Sequence, residues 1–106
     1  MTETEKHIQN EILRAFGTRS DMRLWRANTG AVRIGGRFVR FGVKGQADLT
    51  GVLPGGVRLE IEVKSATGRP SEAQRNFRAM IERFGGVYVL ARSVGDVIDA
   101  IGSYLR

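Results

Sequence analysis

The chain has 106 residues, 42% of them hydrophobic and 26% charged, which predicts one globular domain over residues 1–106 and not a disordered or fibrous chain. The absence of cysteine excludes a disulfide framework and a thiolate metal site. Because the chain also has only one histidine, any bound metal is expected to be a hard cation held by oxygen. The net charge of +6, from 17 basic and 11 acidic residues, favours a partner that carries phosphate. No membrane-length apolar run or signal-peptide pattern is present, so we expect a cytoplasmic protein without a membrane partner.

The first part of the chain predicts one helix followed by strands. Residues 2–16 have apolar side chains at helical spacing, and Thr2 with Glu5 has the spacing of a capping box. Residues 22–28 are predicted to form a strand. Residues 31–41 are predicted to form a β-hairpin, because the adjacent glycines Gly35 and Gly36 can adopt the positive φ angles of a tight turn.

Basic residues are concentrated in this part of the chain. Residues 14–44 contain eight arginine and lysine residues and a single acid, Asp21. Arginine binds phosphate through paired donors, so the segment is a candidate nucleic-acid surface, although acidic proteins or anionic lipids would be attracted equally. The expected DNA-contacting residues are Arg26, Arg33, Arg37, Arg40 and Lys44, with Arg69 further along the chain.

A second hairpin is predicted from residues 47–53 and 57–64, joined by a three-residue loop. Alternate residues of a strand share a face, so Glu60, Glu62 and Lys64 should point to one side of the sheet and their apolar neighbours to the other. An exposed polar face, on which Lys64 simply pairs with a neighbouring glutamate, would also account for this pattern.

The register of this hairpin brings two carboxylates together. Counting back from a three-residue loop puts Asp48 opposite Glu62, and directly opposed residues have Cβ atoms roughly 4.5–5.5 Å apart. Two facing acids destabilise a hairpin unless a cation neutralises them, and Mg²⁺ commonly takes one or two protein carboxylates. Lys64, on the same face, could orient an attacking water and stabilise charge on a phosphate. These residues form a candidate site for metal-dependent phosphodiester hydrolysis.

The remaining elements predict a mixed sheet flanked by helices. Residues 71–84 are predicted to form a helix that two glycines terminate. Residues 87–91 are a nearly continuous apolar run typical of a buried strand, and a last helix is predicted from Ser93 to about Leu105. The predicted fold class is therefore α/β, with helices packed on a mixed central β-sheet.

Two further polar side chains could join the site. A third carboxylate could come from the first helix, where Glu5 falls amid the apolar face and Glu11 lies off its centre, but the capping box with Thr2 also explains Glu5. Gln74 likewise has capping-box spacing from Ser71, which is its simpler explanation, although a side chain near a helix start can also reach a neighbouring site.

The ordered set of these residues resembles the PD-(D/E)XK nuclease core, and specifically the virus-type replication and repair nuclease (VRR-NUC) domain. The positions that carry the resemblance are Gly45, Gln46, Ala47, Asp48, Glu62, Val63, Lys64, Gly68, Ser71 and Gln74. Further similar positions, which extend it over nearly the whole chain, are Glu5, Ile8, Gln9, Gly86, Tyr88, Ala91, Arg92 and Ser93. One departure is Ala47, where the superfamily's name places proline, but this position takes no part in the chemistry.

The resemblance implies a restriction-endonuclease-like fold and a nuclease that depends on Mg²⁺, with Mn²⁺ as a substitute. The metal ligands that it implies are Asp48, Glu62 and the carbonyl of Val63. The other catalytic positions that it implies are Lys64, which supports the nucleophilic water, with Glu5 and Gln74.

The resemblance also implies a partner and an assembly. Stand-alone phage and bacterial members are similar to Holliday junction resolvases, which implies a homodimer that cuts four-way DNA junctions. Two other functions stay open, namely a nucleic-acid-binding module without cleavage and a restriction-type nuclease that recognises one sequence. A requirement for divalent metal separates the first from an enzyme, and cleavage confined to one duplex sequence would establish the second.

Overall fold

The computed structural model describes residues 2–28 and 30–106. The elements in chain order are α1 (Glu3–Phe16), β1 (Arg23–Arg26), β2 (Gly30–Ile34), β3 (Arg37–Phe41), β4 (Leu49–Leu53), β5 (Val57–Val63), α2 (Glu72–Arg83), β6 (Val87–Ala91) and α3 (Val94–Ile101). Four strands form a central sheet in the order β1-β4-β5-β6, in which β6 is parallel to β5 and the other pairs are antiparallel.

Helices cover both faces of this central sheet. On one face, Ile12 and Phe16 of α1 and Val97 of α3 join the larger apolar core. On the other face, Phe77 and Ile81 of α2 belong to a smaller core. The predicted mixed sheet flanked by helices is confirmed. No helix in the described part of the chain is long and apolar enough to cross a membrane.

Strand β5 lies at the centre of the structure and is buried on both sides. Its apolar residues Leu59, Ile61 and Val63 belong to the larger core. Glu60 and Glu62 alternate with them and therefore point to the face that α2 covers. Their exposed fractions are 0% and 2%, so the alternative of a solvated polar face is wrong for both glutamates.

Several element ends differ from the sequence-based boundaries. The strand predicted over residues 22–28 covers only Arg23–Arg26, because its neighbour β4 pairs with those four residues. The second hairpin runs from Leu49 to Val63, slightly inside the predicted ends. The last helix stops at Ile101 and not near residue 105, because the chain tightens there into a 3₁₀ turn, Gly102–Tyr104, as helix C-termini often do.

The first hairpin, which we call the arm, comprises residues 30–41 and stands apart from the central sheet. Its strands β2 and β3 pair with each other in a separate two-stranded sheet. Gly35 and Gly36 form the predicted turn, with φ angles of 56° and 80°. Both strands are exposed along their whole length, so the arm contributes nothing to the buried core.

Candidate active site

Asp48 and Glu62 lie at neighbouring ends of β4 and β5. The predicted register is confirmed from Leu53–Val57 to Leu49–Ile61, where the strand pairing ends one residue before the predicted pair of Asp48 and Glu62. Asp48 directly precedes β4 and is not part of its pairing with β5. Its carboxylate instead accepts a hydrogen bond from the backbone N–H of Val63 at 2.8 Å. The main chain of the strand that carries Glu62 therefore holds the Asp48 carboxylate in place.

Glu62 is a buried carboxylate whose two oxygens have different surroundings. Its Oε2 atom accepts a hydrogen bond from Gln74 Nε2 at 2.7 Å and lies 3.5 Å from Lys64 Nζ. Its Oε1 atom is buried and has no hydrogen-bond partner among the described residues. An unpaired buried carboxylate oxygen is costly unless another group binds it. Oε1 is therefore available to a ligand such as a cation.

The charge of Asp48 opposes the ionisation of Glu62. The pKa of Glu62 is raised to about 7, mainly by burial and then by the charge of Asp48, while Lys64 acts in the opposite direction. Burial also raises the pKa of Asp48, against the opposing effects of the Val63 N–H and the Lys64 charge. Lys64 thus offsets part of the charge, and a second cation would favour the form in which both acids are ionised.

Gln74 has both of the roles considered from the sequence. Its side-chain oxygen accepts from the backbone N–H of Ser71 at 2.9 Å, and Ser71 Oγ accepts from the backbone N–H of Gln74 at 3.2 Å. An amide also carries donors, and Nε2 donates to Glu62. The capping box therefore fixes the side chain that orients the buried acid.

Glu5, and not Glu11, is the helix carboxylate near the site. Glu5 closes the predicted capping box with Thr2, whose backbone N–H donates to Glu5 Oε1 at 3.2 Å. Its charge is close enough to raise the pKa of Asp48. Glu11 instead pairs with His7 at 3.0 Å on the surface of the same helix.

Gly45 allows the segment before Asp48 to pass close to the start of α2. Its φ angle is +80°, and a Cβ atom there would lie 2.2 Å from the carbonyl oxygen of Ala73. Glycine is the residue that tolerates both this conformation and this approach. The contact places Asp48 next to the helical turn that carries Gln74.

We expect Gly45→Ala to lower the free energy of unfolding by about 3 kcal/mol or more, because it combines backbone strain with a clash against main-chain atoms. Gly55→Ala is the matched control, since Gly55 has a φ angle of +85° but a Cβ atom added there would meet no atom of the described residues within 4 Å. Gly55→Ala should lower the free energy of unfolding by only about 1 kcal/mol. Urea denaturation measures both values, and equal losses would show that the close approach does not matter.

A cleft of about 500 Å³, which we call the basic cleft, opens beside this site. Its lining includes Asp48 and Gln74 together with Arg40 and Lys44. Two of the predicted DNA-contacting residues therefore share a cleft with two of the predicted catalytic ones.

The arm's arginines are divided between its two faces. Strand alternation and the observed register place Arg33, Phe38 and Arg40 on one face. The guanidinium of Arg33 lies 4.3 Å from the centroid of the Phe38 ring, a cation–π contact. Arg37 pairs with Ile34 and therefore points to the opposite face.

Arg26 and Arg69, like Arg33 and Arg37 of the arm, are not among the residues that line the basic cleft. Arg26 on β1 donates hydrogen bonds to the side chains of Gln9 and Asn10 on α1. Arg69 is exposed in the loop before α2.

Sequence reasoning gave no role to Arg92, although the structure places it next to the site. Its Nη1 atom donates to the backbone carbonyl oxygens of Ser65 and Gly68, the latter at 2.7 Å. These bonds hold the loop that directly follows Lys64. The available signal was topological, since Arg92 and Lys64 each follow one of two adjacent parallel strands and must emerge at the same edge of the sheet.

Sequence reasoning also missed the burial of Glu60. Its carboxylate is completely buried, 3.6 Å from Arg58 Nη2, and burial raises its pKa. It shares the face of Glu62 but makes no hydrogen bond to the other site residues among those that the structure describes.

The donor set fits a hard divalent cation. Within residues 2–28 and 30–106, no three histidine, cysteine, aspartate or glutamate side chains converge on one point. The candidate ligands are therefore two carboxylates, Asp48 and Glu62, with main-chain oxygen. This number suits Mg²⁺, which usually keeps water and phosphate in its other positions.

The sheet order, the covering helices and the two acids at adjacent strand ends define an α/β domain with a PD-(D/E)XK restriction-endonuclease-like fold. The chain is similar to a solved structure described as a "VRR_NUC domain", with a TM-score of 0.67 and 21% identity over 97% of this chain and 99% of the other. No family model and no curated protein matches the sequence. The fold predicted from the resemblance is confirmed.

Proposed function

We propose that this protein is a metal-dependent, structure-selective DNA endonuclease. The main support is the pair of adjacent carboxylates, Asp48 in the lining of a basic cleft and Glu62 buried beside it, with one oxygen that has no hydrogen-bond partner within residues 2–28 and 30–106. Lys64 and Gln74 both contact Glu62. The structural similarity to a protein described as a VRR_NUC domain adds support for nuclease chemistry.

Asp48 and Glu62 would hold Mg²⁺, or Mn²⁺ in its place, with the carbonyl of Val63 as the third protein ligand. When bound, the ion would neutralise the charge of both acids, and it would act as a Lewis acid toward water and the phosphodiester. Burial of Glu62 excludes competing water from this side of the site.

The remaining side chains have separate tasks in this proposal. Lys64, which is mostly buried beside Glu62, places a positive charge where negative charge develops on the phosphate. Gln74 orients Glu62 so that Oε1 stays available. Glu5 adds a negative charge near Asp48, where it can accept a proton from the attacking water or orient it.

DNA would bind through its backbone in the basic cleft. Arg40 and Lys44 line that cleft, and Arg33 extends the positive charge along one face of the arm. Contacts of this kind to phosphate position DNA but carry no sequence information. Selectivity would therefore come from DNA shape, and a four-way junction is the proposed substrate.

The proposal is tested by incubating labelled four-way junction, flap and linear duplex DNA of matched sequence with the protein in Mg²⁺, Mn²⁺ or EDTA. We expect cleavage of the branched DNA with either metal and none in EDTA. DNA that is bound but never cut would support a non-catalytic binding module instead. Cleavage restricted to one sequence in linear duplex would indicate a restriction-type nuclease.

We also propose a homodimer that forms through the apolar face of the arm. That face carries Val32, Ile34, Val39 and Phe41, which are 40%, 59%, 44% and 38% exposed, and Arg37 lies on it beside the turn. An isolated two-stranded hairpin is marginally stable, and a contiguous exposed apolar surface marks a protein contact. A two-fold dimer would present two active sites to the symmetric strands of a junction.

Val39→Lys is expected to convert the dimer to a monomer, because it places a charge at the centre of the apolar face. Val52→Lys is the matched control, since Val52 is a β-strand valine of similar exposure, 42%, on the central sheet. Analytical ultracentrifugation at micromolar protein measures the mass. A monomeric wild type, or equal effects of both substitutions, would contradict the proposed interface.

A further inference from the structure

A second cleft, which we call the side cleft, adjoins the basic cleft along α2. It has a volume of about 510 Å³ and shares Val43, Lys44 and Ala73 with the basic cleft. A ligand that has its phosphate beside Lys44 could therefore extend its remaining atoms into the side cleft without leaving the surface.

The lining of the side cleft combines apolar surface with one amide and with the charged side chains of Lys44 and Glu72 at its edge. Phe77, Met80 and Val43 supply apolar groups, and the exposed Asn76 contributes its side chain. An amide both donates and accepts hydrogen bonds, which matches the mixed donors and acceptors along the edge of a nucleobase. A flat ring with a polar edge therefore fits this lining better than a purely apolar side chain would.

We infer that the side cleft binds an unpaired nucleobase adjacent to the phosphate in the basic cleft. This inference rests on the proposed function and gives it a physical source of structure selectivity. A base that is already unpaired can leave the helical stack at little cost, whereas a paired base must first be unstacked and unpaired. The cleft would therefore favour branched or bulged DNA over continuous duplex.

The experiment measures binding in EDTA, so that no DNA is cut, with the whole protein and two DNAs of equal length. One is a continuous duplex, and the other carries a single unpaired 2-aminopurine at a bulge. The wild type should bind the bulged DNA more tightly and increase the fluorescence of the 2-aminopurine. Asn76→Ala should reduce the preference for bulged DNA by about tenfold, the effect of losing one base contact.

Two leucine substitutions on α2 provide a matched pair. Ala73→Leu should fill the shared wall of the two clefts and also reduce the preference for the bulge. Ala79→Leu should leave it unchanged, because Ala79 is exposed and lies outside the lining of both clefts. If Ala73→Leu does not fold, Asn76→Ala still decides the question, because the side chain of Asn76 is exposed.

The outcomes separate the inference from the proposed function. If Asn76→Ala kept the wild-type preference for bulged DNA while the wild type still cut DNA, the inference would be overturned and the proposed function would stand. The inference would also be overturned if Asn76→Ala or Ala73→Leu changed the oligomeric mass of the protein and left its preference for bulged DNA unchanged. The side cleft would then be a contact between two copies of the chain. A wild type that neither binds nor cuts DNA in Mg²⁺ or Mn²⁺ would overturn the proposed function and the inference together.

Discussion

Asp48→Asn is expected to reduce cleavage about a thousandfold or more while DNA binding and the fold are retained. Asparagine has nearly the same shape, and its side-chain oxygen can still accept the hydrogen bond from Val63. It lacks the negative charge that would hold a divalent cation. Because burial already raises the pKa of Asp48, the neutral side chain should leave stability in EDTA unchanged or slightly higher.

Single-turnover cleavage of a labelled four-way junction measures this effect, alongside DNA binding in EDTA. Asp99→Asn is the matched control, since Asp99 is exposed on α3, and it should cut at the wild-type rate. Lys64→Ala should also bind without cutting, because it removes the cation beside Glu62. Cleavage by Asp48→Asn at the wild-type rate would show that Asp48 does not bind the metal.

Glu62 should make the protein less stable as the pH rises when no divalent metal is present. Its pKa is raised from 4.5 to about 7 in the folded protein. Between these values the folded state keeps a proton that the unfolded state has lost, so the stabilisation is complete at low pH and disappears as the pH passes the folded pKa. The shift corresponds to about 3 kcal/mol.

The measurement is urea denaturation in EDTA from about pH 5 to about pH 8, with Glu62→Gln as the reference protein. Between these two pH values the wild type should lose about 2 to 3 kcal/mol relative to Glu62→Gln, whose amide cannot ionise. Parallel curves for the two proteins would show that the pKa of Glu62 is not raised.

Mg²⁺ should reverse this loss above the folded pKa, because a cation that binds only the folded, ionised site stabilises it. The recovery should be much smaller in Glu62→Gln, which has one carboxylate fewer at the site. Equal recovery in both proteins would place the stabilising Mg²⁺ elsewhere.

The sequence was informative wherever a structural feature depends on residues close together in the chain. Both capping boxes, Thr2 with Glu5 and Ser71 with Gln74, join residues three positions apart. The register of the second hairpin followed from the length of its loop, because strand pairing on either side of a short loop has few alternatives. The resemblance to a known family added the fold, which the structure confirms.

What the sequence determined by itself was therefore the order of elements, the helix starts and the pairing of β4 with β5 that brings Asp48 close to the end of β5. Only the tertiary structure decided that Glu60 and Glu62 are buried, that Gln74 reaches Glu62, and that Glu5 and not Glu11 lies near Asp48. Local spacing fixes which side of an element a residue occupies. Which other element covers that side depends on packing between segments far apart in the chain, and this packing determines burial and the contacts of the site.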